Sequence, residues 1–293
     1  MSQDKNIQIN RRRVLALGLA GAGALGLAAS EAATGKKTGA PLALTAQTTE
    51  GPYYFDPKLV RADIAEGLHG VPLEIRLSVL DQAGLPLQGA RVDVWHCNAA
   101  GVYSGYAGQG ERGGIDTRGK TFLRGSLITD TQGVAAFRSV YPGWYEGRTT
   151  HIHFKVLNVA GSRTMLTSQF FLPDALSEFL YTQLPDYRRG KLRQTLNSND
   201  GIALSAGNSV AGAVREEQGR YVATLAVVVD RNANQAIDRP WPPAPPGGMG
   251  EGPPPGMPGD IAGRPPGMGG PQAHGFADEA ARTAALVPGA AKK

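Results

Sequence analysis

Short stretches in which apolar and polar residues alternate recur along this chain, and they constrain its fold more than any other feature. In VPLEIRLSVLD, for example, Val71, Leu73, Ile75, Leu77 and Val79 are spaced two apart. Side chains two apart lie on the same face of a β-strand, so this spacing places one apolar face against a core. A helix would need apolar residues three and four apart instead.

Six further segments have the same character. They are ARVDVWHCNA, FLRGSLITD, VAAFRSVYPG, THIHFKVLNVAG, LTSQFFLPD and RYVATLAVVVD, and turns such as DQAG and DTQG separate them. At least seven short strands divided by such turns predict an all-β fold, specifically an antiparallel β-sandwich. One helix is predicted over Asp174–Leu184, and a loop excursion over Ser198–Ala213.

The N-terminal region has the features of an export signal. Arginines at positions 11–13 precede the 16-residue apolar run Val14–Ala29, which is shorter than the ~20 residues that a membrane-spanning helix needs. We therefore predict a twin-arginine-type signal over residues 1–33, a periplasmic or extracellular destination, and no stable membrane anchor after export. An ordinary secretory signal or an N-terminal anchor is the alternative reading.

Composition divides the rest of the chain. Residues 34–46 are predicted to be a linker and residues 47–238 the folded domain. Residues 240–271 hold 12 of the 21 prolines, and because such a segment has little apolar bulk to offset its ordering entropy, 239–293 is predicted to be a disordered tail. The net charge is +5 with no Lys/Arg block in the domain, which argues against nucleic acid as a partner.

The stretch PGWYEGRTTHIHFKV carries the strongest chemical signal. His151 and His153 are two apart in a predicted strand, so both imidazoles lie on one face and can converge on a single metal ion, while Ile152 and Phe154 face the core. Spacing alone also allows two histidines on a solvated face. A His151–His153 zinc hydrolase is a further alternative, although no carboxylate partner lies nearby.

Tyrosines near this pair favour a hard, highly charged metal ion. A phenol has a pKa of about 10 and ionises at neutral pH only when a strong Lewis acid such as Fe(III) binds it. Tyr145 lies just before the histidines, and Tyr103 lies in GVYSGY at a predicted strand end. Tyr106 and Tyr141 are the competing candidates at these two places.

Two residues beside this region are interpreted as structural. Cys97 is the single cysteine of the chain, and its apolar surroundings, VDVWHCNAA, indicate a small buried side chain rather than a nucleophile. A lone cysteine also forms no intramolecular disulfide. His96 precedes the loop that carries Tyr103 and is interpreted as a structural histidine.

Four segments in order, TEGPYY, VDVWHCNAAGVYSGY, PGWYEGRTTHIHFKV and LTSQF, span Thr49 to about Asp174. Together they resemble the intradiol ring-cleavage dioxygenases, the family of catechol 1,2-dioxygenase and protocatechuate 3,4-dioxygenase. The longest motif is most similar to the exported, single-domain branch. The resemblance implies a site made of the metal ligands Tyr103, Tyr145, His151 and His153, the catalytic residues Arg148, Tyr145 and Gln169, and the substrate-binding residues Gly51, Pro52, Arg148 and Gln169.

The resemblance also implies a cofactor and a reaction. The cofactor is Fe(III), the partners are a catechol and O2, and oxygen insertion between the two hydroxylated carbons gives a cis,cis-muconate-type diacid. An exported module that binds iron or a catecholate without turnover is the alternative. Gly147 stands where the protocatechuate enzymes have a bulky aromatic residue, so a more open pocket is expected. The long helical dimerisation segment of the catechol enzymes has no counterpart, which leaves the oligomeric state open.

Overall fold

A computed structural model describes residues 40–56, 58–235, 275–278, 281–282 and 286. Within these residues the chain forms eight strands and two α-helices: β1 (Pro72–Asp81), β2 (Arg91–Trp95), β3 (Arg124–Ile128), β4 (Val134–Val140), β5 (His151–Leu157), β6 (Thr164–Phe171), α1 (Asp174–Gln183), α2 (Gly201–Ala206), β7 (Ala213–Glu217) and β8 (Arg220–Val229). A 3-10 turn, Gly207–Val210, follows α2. The predicted signal, residues 1–33, and most of the predicted tail lie outside the described residues.

The strands form a β-sandwich, which confirms the predicted fold class. One sheet has the order β4-β1-β8-β7 and the other the order β3-β2-β5-β6. All the strand pairs within the described residues are antiparallel except β1 and β8, which run parallel. The parallel pair arises because the chain crosses between sheets before β8 returns beside β1, which a list of strand segments does not reveal.

The core lies between the two sheets and contains the alternating residues of β1. Leu73, Ile75, Leu77 and Val79 are all at most 2% exposed, and Phe154 of β5 is fully buried. Each such side chain contributes about 1.5–3 kcal/mol through burial. The sandwich therefore holds β5 firmly from its core face, which makes that strand a rigid base for the residues on its other face.

Two predictions about local structure have different outcomes. The helix predicted over Asp174–Leu184 is confirmed as α1. The loop predicted over Ser198–Ala213 is wrong, because α2 lies inside it and the Asp200 side chain accepts from the backbone N–H groups of Ile202 and Ala203. An Asp directly before GIALSA is an N-cap signal that the sequence carries.

β7 is the one described strand that was not predicted from the sequence. It is joined to β8 by Gln218 and Gly219, which have φ of 48° and 78°. Two positive φ angles define the type I′ turn, whose twist suits a two-residue hairpin. Four of the five β7 residues are Val, Arg or Glu, too polar a strand to show the alternation used for the others.

Beyond the strands, the described part of the predicted linker contacts the domain. The backbone N–H of Leu42 donates to Gln82, and that of Thr45 donates to Val228. Near the C-terminus, Arg282 is buried and its Nε donates to the carbonyl of Arg193. In the described ranges no helix has the length and apolar character that crossing a bilayer requires.

Candidate metal centre

The two histidines predicted as ligands lie at the start of β5 and are both buried. His151 is 3% and His153 is 2% exposed, and their Nε2 atoms are 3.2 Å apart. The solvated-face alternative is therefore wrong. Their alternates on the strand, Ile152 and Phe154, are fully buried in the core, so the strand is covered on both faces.

Different contacts orient the two imidazoles. His151 Nδ1 lies 2.6 Å from the carbonyl oxygen of Thr149, so Nδ1 carries the hydrogen and Nε2 presents a lone pair. The ring of His153 stacks on Trp95, its cross-strand neighbour on β2, with centroids 4.9 Å apart and an interplanar angle of 10°. Both Nε2 atoms consequently face the same space.

The hydroxyls of the two predicted tyrosine ligands reach that space. Tyr145 Oη is 3.0 Å and Tyr103 Oη is 3.4 Å from His151 Nε2, and the two hydroxyl oxygens are 3.5 Å apart. Tyr103 is buried and Tyr145 is half-buried. The structure thus brings together two phenol oxygens and two imidazole nitrogens from three separate segments of the chain.

Two glycines allow the tyrosine-bearing segments to pack backbone against backbone. A Cβ at Gly143 would lie 2.1 Å from the carbonyl oxygen of Ala99, and one at Gly101 would lie 2.1 Å from that of Trp144. Gly143 N–H also donates to the carbonyl of Asn98. Any side chain at either position would force the segments apart, and with them the two hydroxyls.

The competing residues have other partners. Tyr106 donates to the carbonyl of Tyr54, and the Tyr141 hydroxyl lies 2.8 Å from Ser177 Oγ. His96 is fully buried, with its Nδ1 2.8 Å from the carbonyl of Cys97 and its Nε2 2.7 Å from Ser139 Oγ. Burial raises the pKa of the Cys97 thiol to about 12, which keeps it protonated and unreactive at neutral pH.

Burial also determines the charge state of the cluster. It raises the pKa of both Tyr103 and Tyr145 above the ordinary phenol value. Burial, reinforced by the positive charge of Arg148, lowers the pKa of His151 to about 3. By themselves these side chains are two neutral phenols and two neutral imidazoles, and only a strong Lewis acid would ionise the phenols.

The donor set fits a ferric ion. Two imidazoles supply neutral nitrogen donors, and two phenolates supply the hard anionic oxygens that a 3+ ion prefers. Within the described residues no group of three or more His, Cys, Asp or Glu side chains is arranged to hold a metal ion. The Tyr103–Tyr145–His151–His153 cluster differs from such groups because tyrosine supplies half of its donors.

Arg148 borders the cluster, and each of its three guanidinium nitrogens faces a different residue. Its Nε donates to Asp200 Oδ2 at 2.9 Å and its Nη2 donates to Gln169 Oε1 at 2.5 Å. Its Nη1 lies 3.5 Å from His151 Nε2. Gln169 is fully buried opposite His153 on β6 and donates to the carbonyl of Thr49. The structure therefore places Arg148 and Gln169 together beside the predicted metal ligands.

The segment that carries Gly51 and Pro52 covers the outer face of β5. Gly51 has a φ of +73°, and a Cβ there would lie 3.3 Å from His153 Cε1. Its neighbour Glu50 forms a buried ion pair with Lys155 of β5, and Tyr54 donates to Asp93 of β2 at 2.8 Å. These contacts hold Gly51 against the imidazole, while Pro52 beside it is exposed.

Asp200 is the residue of this region that the sequence analysis missed. Its Oδ2 accepts from Arg148 Nε and from the backbone N–H of Thr149, both at 2.9 Å, and it is 1% exposed. Burial works to raise its pKa, but the charge of Arg148 and the backbone donors outweigh burial and lower it. The N-cap signal before α2 could have drawn attention to Asp200, but not to its contact with Arg148.

A two-tyrosine, two-histidine cluster on a β-sandwich defines the class of site, and comparisons with known proteins define the family. A family model described as dioxygenase matches residues 49–184. Catechol 1,2-dioxygenase from Acinetobacter baylyi is 30% identical over 222 residues, which cover 67% of each chain. The protocatechuate 3,4-dioxygenase beta chain from Burkholderia cepacia is 30% identical over 138 residues, 42% of this chain and 57% of its own.

A solved structure agrees in fold. The intradiol ring-cleavage dioxygenase from Tetranychus urticae superposes with a TM-score of 0.60 at 24% identity, over 67% of this chain and 98% of its own. The chain belongs to the intradiol ring-cleavage dioxygenase family, as the ordered motifs predicted.

Proposed function

We propose that this protein is a non-haem Fe(III) intradiol dioxygenase that cleaves a catechol between its two hydroxylated carbons. The observation that carries the proposal is the convergence of Tyr103, Tyr145, His151 and His153, whose donor atoms lie 3.0–3.5 Å from His151 Nε2 or from one another. Family membership supports the same reaction class.

Tyr103, Tyr145, His151 and His153 would hold a ferric ion, and that ion would supply the Lewis acidity that favours ionisation of the catechol hydroxyls and makes the ring reactive toward O2. Tyr145 is the half-buried member of the set, and its phenolate oxygen would accept one of the two catechol protons, while hydroxide from solvent would accept the other. Tyr103 and the two histidines, all buried, stay in place. The product would be a cis,cis-muconate-type diacid, whose composition is that of the catechol plus one O2.

Arg148 supplies the positive charge. Its guanidinium is held between Asp200 and Gln169 with Nη1 nearest the cluster, so it needs no reorganisation to stabilise negative charge that develops on the ring. Removing one preorganised donor from an oxyanion hole costs about 10²–10³ in kcat. We infer the same for Arg148, with Gln169 acting to hold it.

The N-terminal signal supports a second part of the proposal. A twin-arginine-type segment before the catalytic domain implies that the enzyme is exported, with its catechol met in the periplasm or outside the cell. A protein that holds iron or a catecholate without turnover is the competing function. The Arg148–Gln169 pair beside the cluster, which a simple binding module would not need, favours the enzyme.

The first experiment is the visible spectrum of the purified protein before and after catechol is added under nitrogen, followed by oxygen uptake in air. We expect a red-brown tyrosinate-to-iron band that shifts with catechol, and then oxygen consumption. A colourless protein that binds only zinc, even after ferric loading, would overturn the proposal. A coloured protein that consumes no oxygen with any catechol would leave the binding module as the function.

Replacement of Tyr145 by Phe tests the site itself. We expect the band to weaken, because one of the two tyrosinates is lost, and kcat to fall by about 10²-fold or more, as for the loss of a proton-transferring group. Tyr141→Phe is the matched control, since Tyr141 is a buried tyrosine whose hydroxyl lies 2.8 Å from Ser177 Oγ and not in the cluster. Undiminished turnover and iron content in Tyr145→Phe would contradict the proposed role.

A further inference from the structure

We propose that Asp200 is a positioning residue for Arg148, and that the excursion over residues 198–213 serves to present its carboxylate. The inference rests on the proposed function, because it assigns Asp200 its effect through the charge that Arg148 brings to the substrate. Asp200 lies outside the matched family region, residues 49–184.

The geometry assigns each edge of the guanidinium a separate task. Asp200 Oδ2 accepts from Nε at 2.9 Å and Gln169 Oε1 accepts from Nη2 at 2.5 Å. Nη1 is left nearest the Tyr103–Tyr145–His151–His153 cluster, 3.5 Å from His151 Nε2. A planar guanidinium held at two of its edges has no freedom to rotate. Asp200 and Gln169 together therefore aim Nη1 at the reacting groups.

The carboxylate of Asp200 is itself fixed on both oxygens. Oδ2 also accepts from Thr149 N–H at 2.9 Å, and Oδ1 accepts from the N–H groups of Ile202 and Ala203 at 2.9 and 3.0 Å. The residue is 1% exposed. Four donors around one buried carboxylate hold it ionised and in one orientation, so it is a rigid anchor rather than a mobile counter-ion.

The excursion that carries Asp200 is anchored to the end of β6. Ala203 and Ala206 of α2, together with Val210, pack on Phe171 in a small apolar cluster. The ring of Phe171 is in turn 6.2 Å from that of His151, centroid to centroid. Residue 211 bridges to Phe171 through the backbone. The position of Asp200 is thus tied to the strand pair that carries the histidine ligands.

Charge neutralisation is the second consequence of this contact. The Arg148 side chain is 17% and that of Asp200 is 1% exposed, so the pair is largely shielded from water, and a buried cation without a counter-ion carries a large desolvation penalty. Asp200 offsets this penalty from the side opposite the cluster. The guanidinium can therefore stay beside the neutral imidazoles, which carry no negative charge that could neutralise it.

The test is a double-mutant cycle of Asp200→Asn and Arg148→Gln in the iron-loaded protein. An Asn at 200 keeps the oxygen that caps α2 but turns its NH2 group toward Arg148 Nε and Thr149 N–H, so the guanidinium loses its anchor. We expect kcat to fall by about 10- to 100-fold, as for a small misplacement of a catalytic group, with iron content and the tyrosinate band unchanged. In the Arg148→Gln background the same substitution should change kcat less than twofold.

Asp174→Asn is the matched control. Asp174 is likewise an aspartate at the start of a helix that is paired with an arginine, Arg193 at 2.9 Å. Its carboxylate accepts from Arg193, Thr149 and Asn197 rather than from Arg148. We expect it to lower the melting temperature while leaving kcat close to that of the wild type. If Asp200→Asn fails to fold, Asp200→Ser replaces it, since Ser caps a helix well and provides no carboxylate for Arg148.

Two results would overturn the inference. One is a folded Asp200 variant with wild-type kcat. The other is a fall in kcat from Asp200→Asn that is as large in the Arg148→Gln background as in the wild type, because a purely structural effect would not depend on Arg148. Absence of oxygen uptake in the wild type would instead overturn the proposed function. In that event the crystal structure of Asp200→Ser decides, because an unmoved Arg148 side chain contradicts the positioning role.

Discussion

At the scale of single residues, burial explains the behaviour of the titratable groups better than ion pairing does. Tyr103, Tyr145, His151 and His96 all have pKa values shifted toward the neutral form, and in each case burial is the largest cause. Neutral imidazoles are the form that binds a metal, so burial keeps the two histidines of the cluster ready for metal, whereas the two phenols must lose their protons when a metal binds.

His96 provides a test of this effect away from the cluster. Burial lowers its pKa from 6.5 to about 4, so below pH 6.5 the unfolded chain takes up a proton that the folded chain does not. Titration of His96 therefore does not lower the free energy of unfolding above pH 6.5, but lowers it as the pH falls from 6.5 toward 4. For each unit by which the pH falls in that window, we expect this residue to lower the free energy of unfolding by about 1.4 kcal/mol.

Urea denaturation at pH 7.0 and pH 5.0, in the wild type and in His96→Gln, measures this slope. Glutamine offers an amide in place of the imidazole and has no charge to gain, so the variant should lose less stability between the two pH values than the wild type does. Equal losses in the two proteins would show that His96 titrates normally in the folded state.

At the scale of elements, the site depends on how closely two loops approach each other. The segment Asn98–Tyr103 follows β2 and the segment Pro142–Tyr145 follows β4, so the two tyrosines come from the ends of strands in different sheets. Gly101 and Gly143 form the contact between them. The loop positions consequently determine the distance between the two hydroxyls.

Gly143→Ala tests this contact. A Cβ there would lie 2.1 Å from the carbonyl oxygen of Ala99, so the backbones must separate, at a cost of about 1–3 kcal/mol in stability. We expect the tyrosinate band and the bound iron to decrease together, because Tyr145 moves with Gly143. Absorption and iron content per chain are the measurements.

Gly190→Ala is the matched control for this substitution. A Cβ at Gly190 would meet no atom within 4 Å, so the same change in backbone entropy occurs without a clash. Iron content and colour should remain those of the wild type. Equal loss in both variants would show that glycine flexibility, and not the close approach, matters at position 143.

At the scale of the whole molecule, a bound ion would join parts of the chain that are distant in sequence. The candidate ligands Tyr103, Tyr145 and the β5 histidines lie on separate segments, and the sandwich packs these segments around one space. An ion that binds only the folded state stabilises it by an amount that follows from its free concentration and Kd.

Removal of iron should therefore lower the melting temperature. At free iron of about 100 times Kd the stabilisation is about 2.7 kcal/mol, which corresponds to roughly 5–10 °C for a domain of this size. Differential scanning calorimetry of the iron-loaded protein and of the chelated protein measures the shift. The His153→Ala variant should show a much smaller shift, and an equal shift would place the stabilising ion elsewhere.

Local patterns in the sequence were sufficient for much of this protein. Alternation in β1 and the turns between strands predicted the sandwich, and the His-x-His spacing predicted that His151 and His153 share a face. These inferences succeed because strand periodicity acts over a few residues. Family motifs then indicated Tyr103 and Tyr145 over Tyr106 and Tyr141, a choice that spacing alone left open.

Contacts between distant segments were decided only by the tertiary structure. The pairing of Arg148 with Asp200 joins residues 52 positions apart, the parallel alignment of β1 with β8 joins the two ends of the domain, and the approach of Gly101 to Trp144 brings the tyrosine hydroxyls together. None of these has a local signature, because each depends on how the two sheets pack. The residue types that can bind a metal were thus determined by the sequence, whereas their convergence and the aim of Arg148 were determined by packing.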